Sequence, residues 1–279
     1  MFSNVIVGID GGPGGLDALA MARRLADEHA EITLAHVRVE NPIAIRPESS
    51  EFEAAEHERS AELLEDARAA AGISATLDPV RAASVGRGLH ELAERVGADL
   101  IVVGSSSRGL VGRVLQGDDT RASLNGAPCA VAVAPTHYVD RASALTEIGV
   151  GYDESPESKH ALAVARELAA QHGARVSAFE AISIPSLQLG GGDGAAVKAL
   201  EAKVEETRQR IAALGGVEPH AAYGDAAEEL ALYGASVDLL VIGSRGYGPL
   251  GRLMHGGTSF RLTGRARCPL LVLPRAANL

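Results

Sequence analysis

Residues 238–259 read DLLVIGSRGYGPLGRLMHGGTS, and this stretch decides the fold of the chain. Residues 239–242 form a short apolar run closed by glycine, which predicts a buried parallel strand whose carboxyl end opens a ligand crevice. Gly243 and Gly246 lack a Cβ, so their backbone N–H groups can turn towards an anion. Residues 256–259 predict a helix start, where free N–H groups and hydroxyls favour phosphate. The stretch therefore predicts a strand followed by a phosphate loop.

Other interpretations of the glycines compete with this one. Gly246, Gly248 and Gly251 also match the dinucleotide pattern G-x-G-x-x-G, which needs an acidic residue about 20 positions later. No Asp or Glu occurs between Gly251 and Leu279. A Walker-type loop needs Gly-Lys-Ser/Thr, and the chain has no such triplet. A glycine-rich turn that serves only backbone geometry stays open as an alternative.

The chain contains an internal duplication. VIVGID at residues 5–10 is matched by IGVGYD at residues 148–153, which lies 143 positions later. ALAMARRLA at residues 18–26 recurs as ALAVARELA at residues 161–169, at the same offset. A length of 279 residues also suggests two domains. We expect one domain over residues 1–140 and a second over residues 144–279.

Each half alternates apolar strands with helices, which predicts a doubly wound α/β fold. The predicted strands are residues 5–10, 32–39, 76–80, 100–103 and 130–134, then 148–153, 176–182, 218–222, 239–242 and 270–273. Pro79 and Pro219 lie in the third strands, and proline is confined to sheet edges. The expected architecture is therefore two tandem five-stranded parallel sheets of order 3-2-1-4-5. This order makes Asp10 and Asp153, which end the first strands, face the loops after the fourth strands.

The fifth strand of each half is then an apolar edge. Such an edge invites pairing. We expect the two halves to join there as a pseudo-dimer, or each to pair with another chain in a homodimer. A surface connection over residues 136–143 is expected between the halves.

Composition excludes several function classes. The formal net charge of −10 opposes binding to nucleic acid or anionic membranes. There is no Trp and aromatics are only 3%, which argues against base-stacking platforms. No signal peptide or run of about 20 apolar residues is present, so a cytoplasmic protein is expected. The two cysteines, Cys129 and Cys268, precede apolar strands and predict buried thiols rather than a metal site.

The loop pattern G-x2-G-x9-G on its strand resembles the nucleotide-binding signature of the universal stress protein family. The resemblance covers essentially the whole chain as two tandem copies and implies the adenine nucleotide alpha hydrolase-like fold. It also implies that the carboxylates of Asp153 and Asp10 contact the nucleoside of ATP. The backbone after the second strand's His-Val pattern approaches adenine in the family, which maps to Val37 and, by the repeat, to Ala181.

The same resemblance implies which residues hold phosphate. In the second half they are Gly243, Gly246 and Gly256, with Thr258 or Ser259 supplying the hydroxyl because Gly257 stands in the hydroxyl position. In the first half Gly104 and Gly117 retain the pattern.

The first half departs from the pattern at two further positions. Ser107 replaces the second glycine, and Asp118 stands where a hydroxyl meets phosphate. A carboxylate about 4 Å from a phosphate costs on the order of 4 kcal/mol at an effective dielectric near 20, roughly a thousandfold in affinity. We therefore expect the second half to bind nucleotide and the first to bind it weakly. An open alternative is that Asp118 and Asp119 share Mg²⁺ with the triphosphate.

The function expected is that of a stress-response protein whose ATP occupancy biases conformation or association. No nucleophile with an adjacent base is evident, so we expect binding rather than turnover, with at most slow ATP hydrolysis. One alternative is a regulatory or structural module that acts through protein partners without nucleotide. Another is an adenylating enzyme on a related sheet. Tyr152 has two open roles, flanking adenine or packing beneath a helix.

Overall fold

A computed structural model describes residues 1–40, 50–105, 118–141, 144–183, 194–244, 261–262 and 268–274. Within these ranges ten strands and seven α-helices follow one another. The strands are β1 (Phe2–Gly8), β2 (Ala26–Val39), β3 (Thr76–Ala82), β4 (Leu100–Gly104), β5 (Ala130–Ala134), β6 (Glu147–Gly151), β7 (Arg175–Ile182), β8 (Glu218–Tyr223), β9 (Leu239–Gly243) and β10 (Leu270–Leu273). The helices are α1 (Pro13–Leu25), α2 (Ser50–Ala71), α3 (Val85–Val96), α4 (Asp118–Leu124), α5 (Pro156–His172), α6 (Gly194–Ala212) and α7 (Ala226–Tyr233). Two 3₁₀ turns cover Val139–Arg141 and Gly234–Ser236.

The ten strands form one sheet in the order β3-β2-β1-β4-β5-β10-β9-β6-β7-β8. Each half follows the predicted order 3-2-1-4-5, and the doubly wound α/β class is confirmed. The two predicted sheets are continuous, however, because β10 pairs antiparallel with β5 and places Val272 opposite Val131. The sheet is therefore parallel within each half and mixed overall. Each apolar fifth strand covers the edge of the other.

Some predicted element bounds were wrong. β2 begins at Ala26, directly after α1, rather than at residue 32, because its polar start pairs with β1 across an irregularity between Phe2 and Asn4. α3 begins at Val85, since the Ser84 side chain accepts a hydrogen bond from the Arg87 amide at 3.3 Å and caps the helix. The proline-containing strands β3 and β8 lie at the two edges, as predicted.

Two hydrophobic clusters cover the faces of the sheet. Val5 and Val7 of β1 belong to one cluster, whereas Ile6 belongs to the other, as expected for alternating strand side chains. Each cluster contains residues from both halves, including Leu100 with Leu239 in one of them. The core is therefore continuous across the β5–β10 junction. Within the described residues, no helix combines the length and the apolar character needed to cross a bilayer.

The connection between the halves is fastened to α1 rather than lying freely on the surface. His137 and Asp140 are exposed as expected, but the Tyr138 side chain is 8% exposed. Asp17, which is 2% exposed, accepts hydrogen bonds from the amides of His137 and Val139, each at 2.9 Å. A buried carboxylate on α1 thereby holds the turn that leads into the second half.

Candidate nucleotide crevices

Both halves place an acidic residue beside the end of the neighbouring strand. β1 pairs in parallel with β4, and β6 pairs in parallel with β9. Asp10 follows the carboxyl end of β1, and Asp153 follows that of β6. Because β4 ends at the same edge of the sheet as β1, and β9 ends at the same edge as β6, a crevice is expected in each half where the strand order reverses.

A cavity of about 360 Å³ occupies the crevice of the first half. It brings together three residues from the sequence prediction, Asp10, Val37 and Gly104. Apolar side chains line much of the rest, among them Ala35, Leu89 and Val103. A volume of this size, with a few polar groups in an apolar wall, is typical of a small-molecule site.

The glycines that end β4 and β9 serve helix packing. A Cβ on Gly104 would stand 2.1 Å from the carbonyl oxygen of Gly14, in the first turn of α1. A Cβ on Gly243 would stand 2.6 Å from the backbone of Glu157, in the first turn of α5. These glycines therefore let α1 and α5, the helices that follow the neighbouring strands β1 and β6, approach the ends of β4 and β9, a role that the sequence did not predict for them.

The first amide of each predicted phosphate loop is used inside the protein. The Ser105 amide donates to the Ala134 carbonyl at 2.8 Å, and the Ser244 amide donates to the Leu273 carbonyl at 2.9 Å. Both bonds extend the sheet by one residue beyond β4 and β9. These two amides consequently point to strands β5 and β10.

Thr120, on α4, is a cavity residue that the sequence analysis missed. Its side chain is 3% exposed, lines the cavity and donates a hydrogen bond to the Gly104 carbonyl at 3.2 Å. The internal repeat indicates this residue, because Thr120 and Ser259 are 139 positions apart, as are Gly104 and Gly243. Aligning the two loops from their first glycines would have identified this hydroxyl.

The two acidic residues have different environments. Asp10 is exposed, and its Oδ1 accepts a hydrogen bond from the Gly12 amide at 2.9 Å. Asp153 is half-buried, and its Oδ1 accepts hydrogen bonds from both the amide and the hydroxyl of Ser155. Asp153 is therefore engaged by the residue that caps α5.

An aromatic pair distinguishes the second crevice from the first. In the sheet register, Gly8 is opposite Ala35 in the first half, and Gly151 is opposite Phe179 in the second. Phe179 is buried and stacks on Tyr233 with ring centroids 4.9 Å apart. A phenyl ring thus stands at the position where the first half has a methyl group.

Tyr233, the last residue of α7, is itself held in place by its neighbours. Its hydroxyl is 2.6 Å from the Ser177 Oγ, and burial raises the pKa of the phenol. A Cβ on Gly149 would come within 2.8 Å of the Tyr233 ring, so glycine provides the space for it. The Phe179–Tyr233 pair is therefore a packed part of the core on that face of the sheet.

An ionic cluster also distinguishes the second crevice. Gly11 and Glu154, each one residue after the strand-end acid, both have positive φ, +77° and +65°. Gly11 packs against Leu63 of α2, whereas Glu154 lies 3.4 Å from the guanidinium of Arg210 on α6. Arg210 also donates to Glu180 of β7 at 2.6 Å, and this hydrogen bond raises the pKa of Arg210. Charged groups thus replace an apolar contact at the second crevice.

A model of the universal stress protein family matches residues 1–135 and again residues 145–274. The chain belongs to the universal stress protein family. A universal stress protein of Thermus aquaticus is 35% identical over 131 residues, which are 44% of this chain and 95% of that protein. A universal stress protein of Mycobacterium tuberculosis is 26% identical in an alignment 295 residues long with its gaps, which covers 97% of this chain and 99% of that protein.

A solved universal stress protein from Archaeoglobus fulgidus shares this fold. It covers 98% of this chain and 96% of its own, with 20% identity and a TM-score of 0.69. Another, solved in complex with cAMP, covers 48% of this chain and 98% of its own, with 25% identity and a TM-score of 0.35. The cAMP is a ligand of that protein. The expected membership of this chain in the family, as a tandem member, is confirmed.

Half of the predicted contact residues of this universal stress protein are in the described ranges. Asp10, Val37 and Gly104 meet at the first cavity, whereas Asp153, Ala181 and Gly243 lie at the carboxyl ends of β6, β7 and β9. The others lie outside the described residues: Gly117, Gly246, Gly256, Gly257, Thr258 and Ser259. Their contacts with a ligand stay predictions.

Other side chains singled out from the sequence can be placed. Tyr152 is 4% exposed and belongs to the hydrophobic core, which favours packing over contact with adenine. Cys129 and Cys268 are buried, as predicted, and burial raises the pKa of each thiol to about 12. In the part of the chain that the structure describes, no group of three or more His, Cys, Asp or Glu residues is arranged to hold a metal ion.

Proposed function

We propose that this tandem universal stress protein binds an adenine nucleotide, and that occupancy biases its conformation or its association with partners. The observation that supports this most directly is the first-half cavity, where Asp10, Val37 and Gly104 meet. The family resemblance implies contacts to nucleoside, adenine and phosphate for these three positions. Their meeting at one cavity of suitable size is what a nucleotide site requires.

The chemistry of the cavity suits an adenosine moiety. Ala35, Leu89 and Val103 offer an apolar wall for a base. Asp10 is an exposed carboxylate, which accepts hydrogen bonds and matches the hydroxyl groups of a ribose. Val37 lies near the carboxyl end of β2, and its backbone groups are the proposed partners of adenine.

The triphosphate is a finer part of the proposal. The second-half loop, with Gly243, Gly246 and Gly256, has the glycine pattern that best suits a triphosphate. The proposed ligand there is ATP, with Mg²⁺ as an additional ion. Adenine beside this loop would occupy the crevice near Ala181.

For the second half, specific observations favour the alternative function, that of a module that acts through protein partners without nucleotide. Phe179 fills the position of Ala35, and the Ser155 hydroxyl engages Asp153. Arg210 and Glu154 form an ion pair at the crevice. These contacts support a structural or partner-binding role for that half, with nucleotide held by the first.

Calorimetry on the full chain tests the proposal. The parent is compared with Ala35→Phe, which introduces into the first half the side chain that the second half carries, and with Gly246→Val in the second-half loop. Loss of adenine-nucleotide binding in Ala35→Phe supports the first crevice, and loss in Gly246→Val supports the second. Phe179→Leu is the matched control, because it alters the equivalent position without adding volume. Unchanged affinity in both test variants would favour the partner-binding module.

A further inference from the structure

The His36 ring is held by the strand beside it. His36 is half-buried and lines the first-half cavity, and its Nδ1 lies 2.7 Å from the Ile9 carbonyl oxygen. A carbonyl oxygen only accepts hydrogen bonds, so Nδ1 carries a hydrogen and donates it to Ile9. In the neutral ring Nε2 is then a hydrogen-bond acceptor. His36 therefore adds an acceptor nitrogen to the residues around this cavity.

The cavity has two chemically different sides. Ala35 belongs to the hydrophobic cluster on one face of the sheet, and Val37 packs against the same cluster. Successive side chains of a strand point to opposite faces, so His36, which lies between them, is on the other face. Ile9 belongs to the cluster of that face, which α1 covers, and Gly14 of α1 also lines the cavity. The first side is apolar and suits a base, whereas the second side carries the polar groups that suit a sugar.

Asp10 supplies a second acceptor close to the first. It directly follows Ile9, whose carbonyl holds the His36 ring. Asp10 is exposed, and its Oδ1 accepts a hydrogen bond from the Gly12 amide at 2.9 Å, whereas an ionised carboxylate can accept about four. An imidazole nitrogen and a carboxylate at the ends of two paired strands match the two hydroxyl groups of a ribose, each of which can donate one hydrogen bond.

The second half has a different arrangement at the same two positions. By the strand register, Glu180 of β7 is the counterpart of His36 of β2. Glu180 accepts a hydrogen bond from Arg210 at 2.6 Å, and the Ser155 hydroxyl donates to Asp153. Side chains of the protein therefore engage the acceptors of the second crevice. An imidazole acceptor beside the strand-end acid is a feature of the first half.

We propose that His36 is a ligand-contact residue, whose Nε2 accepts a hydrogen bond from one ribose hydroxyl while Asp10 accepts one from the other. The first-half crevice thereby selects ribonucleotides over their deoxy counterparts. The inference rests on the proposed function, because it requires an adenine nucleotide in this cavity. It adds the class of sugar that is recognised and a residue that determines this specificity.

The selection has a simple physical cause. A ligand that lacks one hydroxyl leaves one acceptor of the site unpaired when it binds. A site that hydrogen-bonds a hydroxyl group therefore rejects the analogue without it. For a neutral acceptor such as imidazole, one unmade bond lowers the affinity by about fivefold.

The first experiment measures the affinity of the full chain for Mg-ATP and for its 2′-deoxy and 3′-deoxy analogues by calorimetry. Binding that Ala35→Phe abolishes is assigned to the first-half crevice. For that binding, we expect ATP to be held at least about fivefold more tightly than either analogue. This comparison tests ribose selection in the parent chain, without any substitution of His36.

The second experiment separates the two nitrogens of His36. In His36→Asn the amide nitrogen is as many bonds from the backbone as Nδ1, so the donor to Ile9 is kept and the Nε2 acceptor is lost. This variant should bind ATP about fivefold more weakly and lose the preference over one of the two deoxy analogues, while Asp10 maintains the preference over the other. In His36→Gln the amide oxygen is as many bonds from the backbone as Nε2. This variant should keep both preferences but unfold at a lower urea concentration, because the bond to Ile9 is lost.

His29→Asn is the matched control. His29 is exposed and lies on the same strand, towards its opposite end. Its substitution should leave all three affinities as they are in the parent. A purely structural His36 would change the stability of its variants and leave the ratios of ATP to deoxy-ATP affinity unchanged.

The outcomes separate the inference from the function on which it rests. Ala35-dependent binding of ATP and both analogues with equal affinity would overturn ribose selection and leave the nucleotide proposal standing. The same affinity ratios in His36→Asn, His36→Gln and the parent would overturn the role of His36. If no adenine nucleotide binds in an Ala35-dependent way, the proposed function of this crevice fails as well.

Discussion

Gly104 at the end of β4 lies directly against Gly14 in the first turn of α1. A Cβ on Gly104 would stand 2.1 Å from the Gly14 carbonyl oxygen, a distance that real Cβ atoms essentially never show. Gly243 has the same relation to Glu157 at the start of α5, at 2.6 Å. The first glycine of each loop therefore permits close approach of helix and strand, whatever the loop itself binds.

Substituting these glycines should destabilise the protein. Gly104→Ala and Gly243→Ala should each lower the free energy of unfolding by about 1–3 kcal/mol, because the new methyl group meets backbone that cannot move aside alone. Urea unfolding measures this as a lower midpoint with an unchanged slope. Gly72→Asn is the control, since Gly72 has φ of +60° with no atom within 4 Å and asparagine tolerates that conformation. Parent-like stability of Gly104→Ala would contradict the packing role.

The sequence predicted the sheet well because several independent rules converge on it. The repeat at an offset of 143 positions, Pro79 and Pro219 at the edges, and the apolar fifth strands together leave one strand order. The start of β2 was missed because residues 26–31, ADEHAE, are mostly polar and show no strand periodicity. Their pairing with β1 is a tertiary effect that local pattern does not encode.

Asp238 joins the start of β9 to the start of β6. Its Oδ2 accepts hydrogen bonds from the Thr146 amide at 2.8 Å, the Thr146 hydroxyl at 2.7 Å and the Glu147 amide at 2.9 Å. Burial acts to raise the pKa of Asp238, but these hydrogen bonds outweigh burial and lower the pKa below its ordinary value of 3.8. A carboxylate with a lowered pKa stabilises the folded state above its unfolded pKa and loses that contribution as pH falls through the folded pKa.

We therefore expect a pH-dependent effect of Asp238→Asn. At pH 7 the variant should lose about 1–2 kcal/mol of unfolding free energy, because one carboxylate oxygen and its charge-assisted bonds are lost. The difference from the parent should persist down to about pH 4 and fade below the ordinary value of 3.8. Urea unfolding at a series of pH values measures it. A difference that grows on acidification would contradict the assignment.

Asp17 is expected to stabilise the connection between the halves. Asp17→Ala removes the acceptor for the amides of His137 and Val139 and should cost about 1–3 kcal/mol. The same variant should be cleaved faster by protease at residues 136–143, because the turn loses its anchor on α1. Asp140→Ala is the control, since Asp140 is exposed and its ring contact to His137 is 3.2 Å. Equal cleavage of Asp17→Ala and parent would show that the turn is held by other contacts.

The candidate site was only partly predictable. The strand order indicated Asp10, the family resemblance implied Val37 and Gly104, and the three meet at one cavity. The expectation that the second half is the better site came from its loop, where the glycine pattern is more complete. The sequence pattern does not show which side chains occupy the space where a base would bind. The Phe179–Tyr233 stack depends on residues 54 positions apart that meet only in the folded sheet.

Both thiols should be unreactive in the native protein. Burial raises the pKa of Cys129 and Cys268 to about 12, so the thiolate that reacts with electrophiles is scarce at neutral pH. A thiol reagent at pH 7.5 should label neither cysteine in the folded chain and both after unfolding in urea. Ala235→Cys, at an exposed position, is the positive control. Rapid labelling of the native parent would show that one of the strands opens locally.

Substitutions of Thr120 on α4 test whether its hydroxyl stabilises the fold or binds the ligand. Thr120 is 3% exposed and donates to the Gly104 carbonyl at 3.2 Å. Thr120→Val keeps the shape and removes the donor, so it should cost about 0.5–1.5 kcal/mol of unfolding free energy, whereas Thr120→Ser should change it little. Because the donor is already used inside the protein, the affinity for adenine nucleotide should change less than about threefold in both variants. Urea unfolding and calorimetry on the same preparations measure the two effects. Lost binding in Thr120→Val without lost stability would mean that the hydroxyl leaves Gly104 and turns to the ligand.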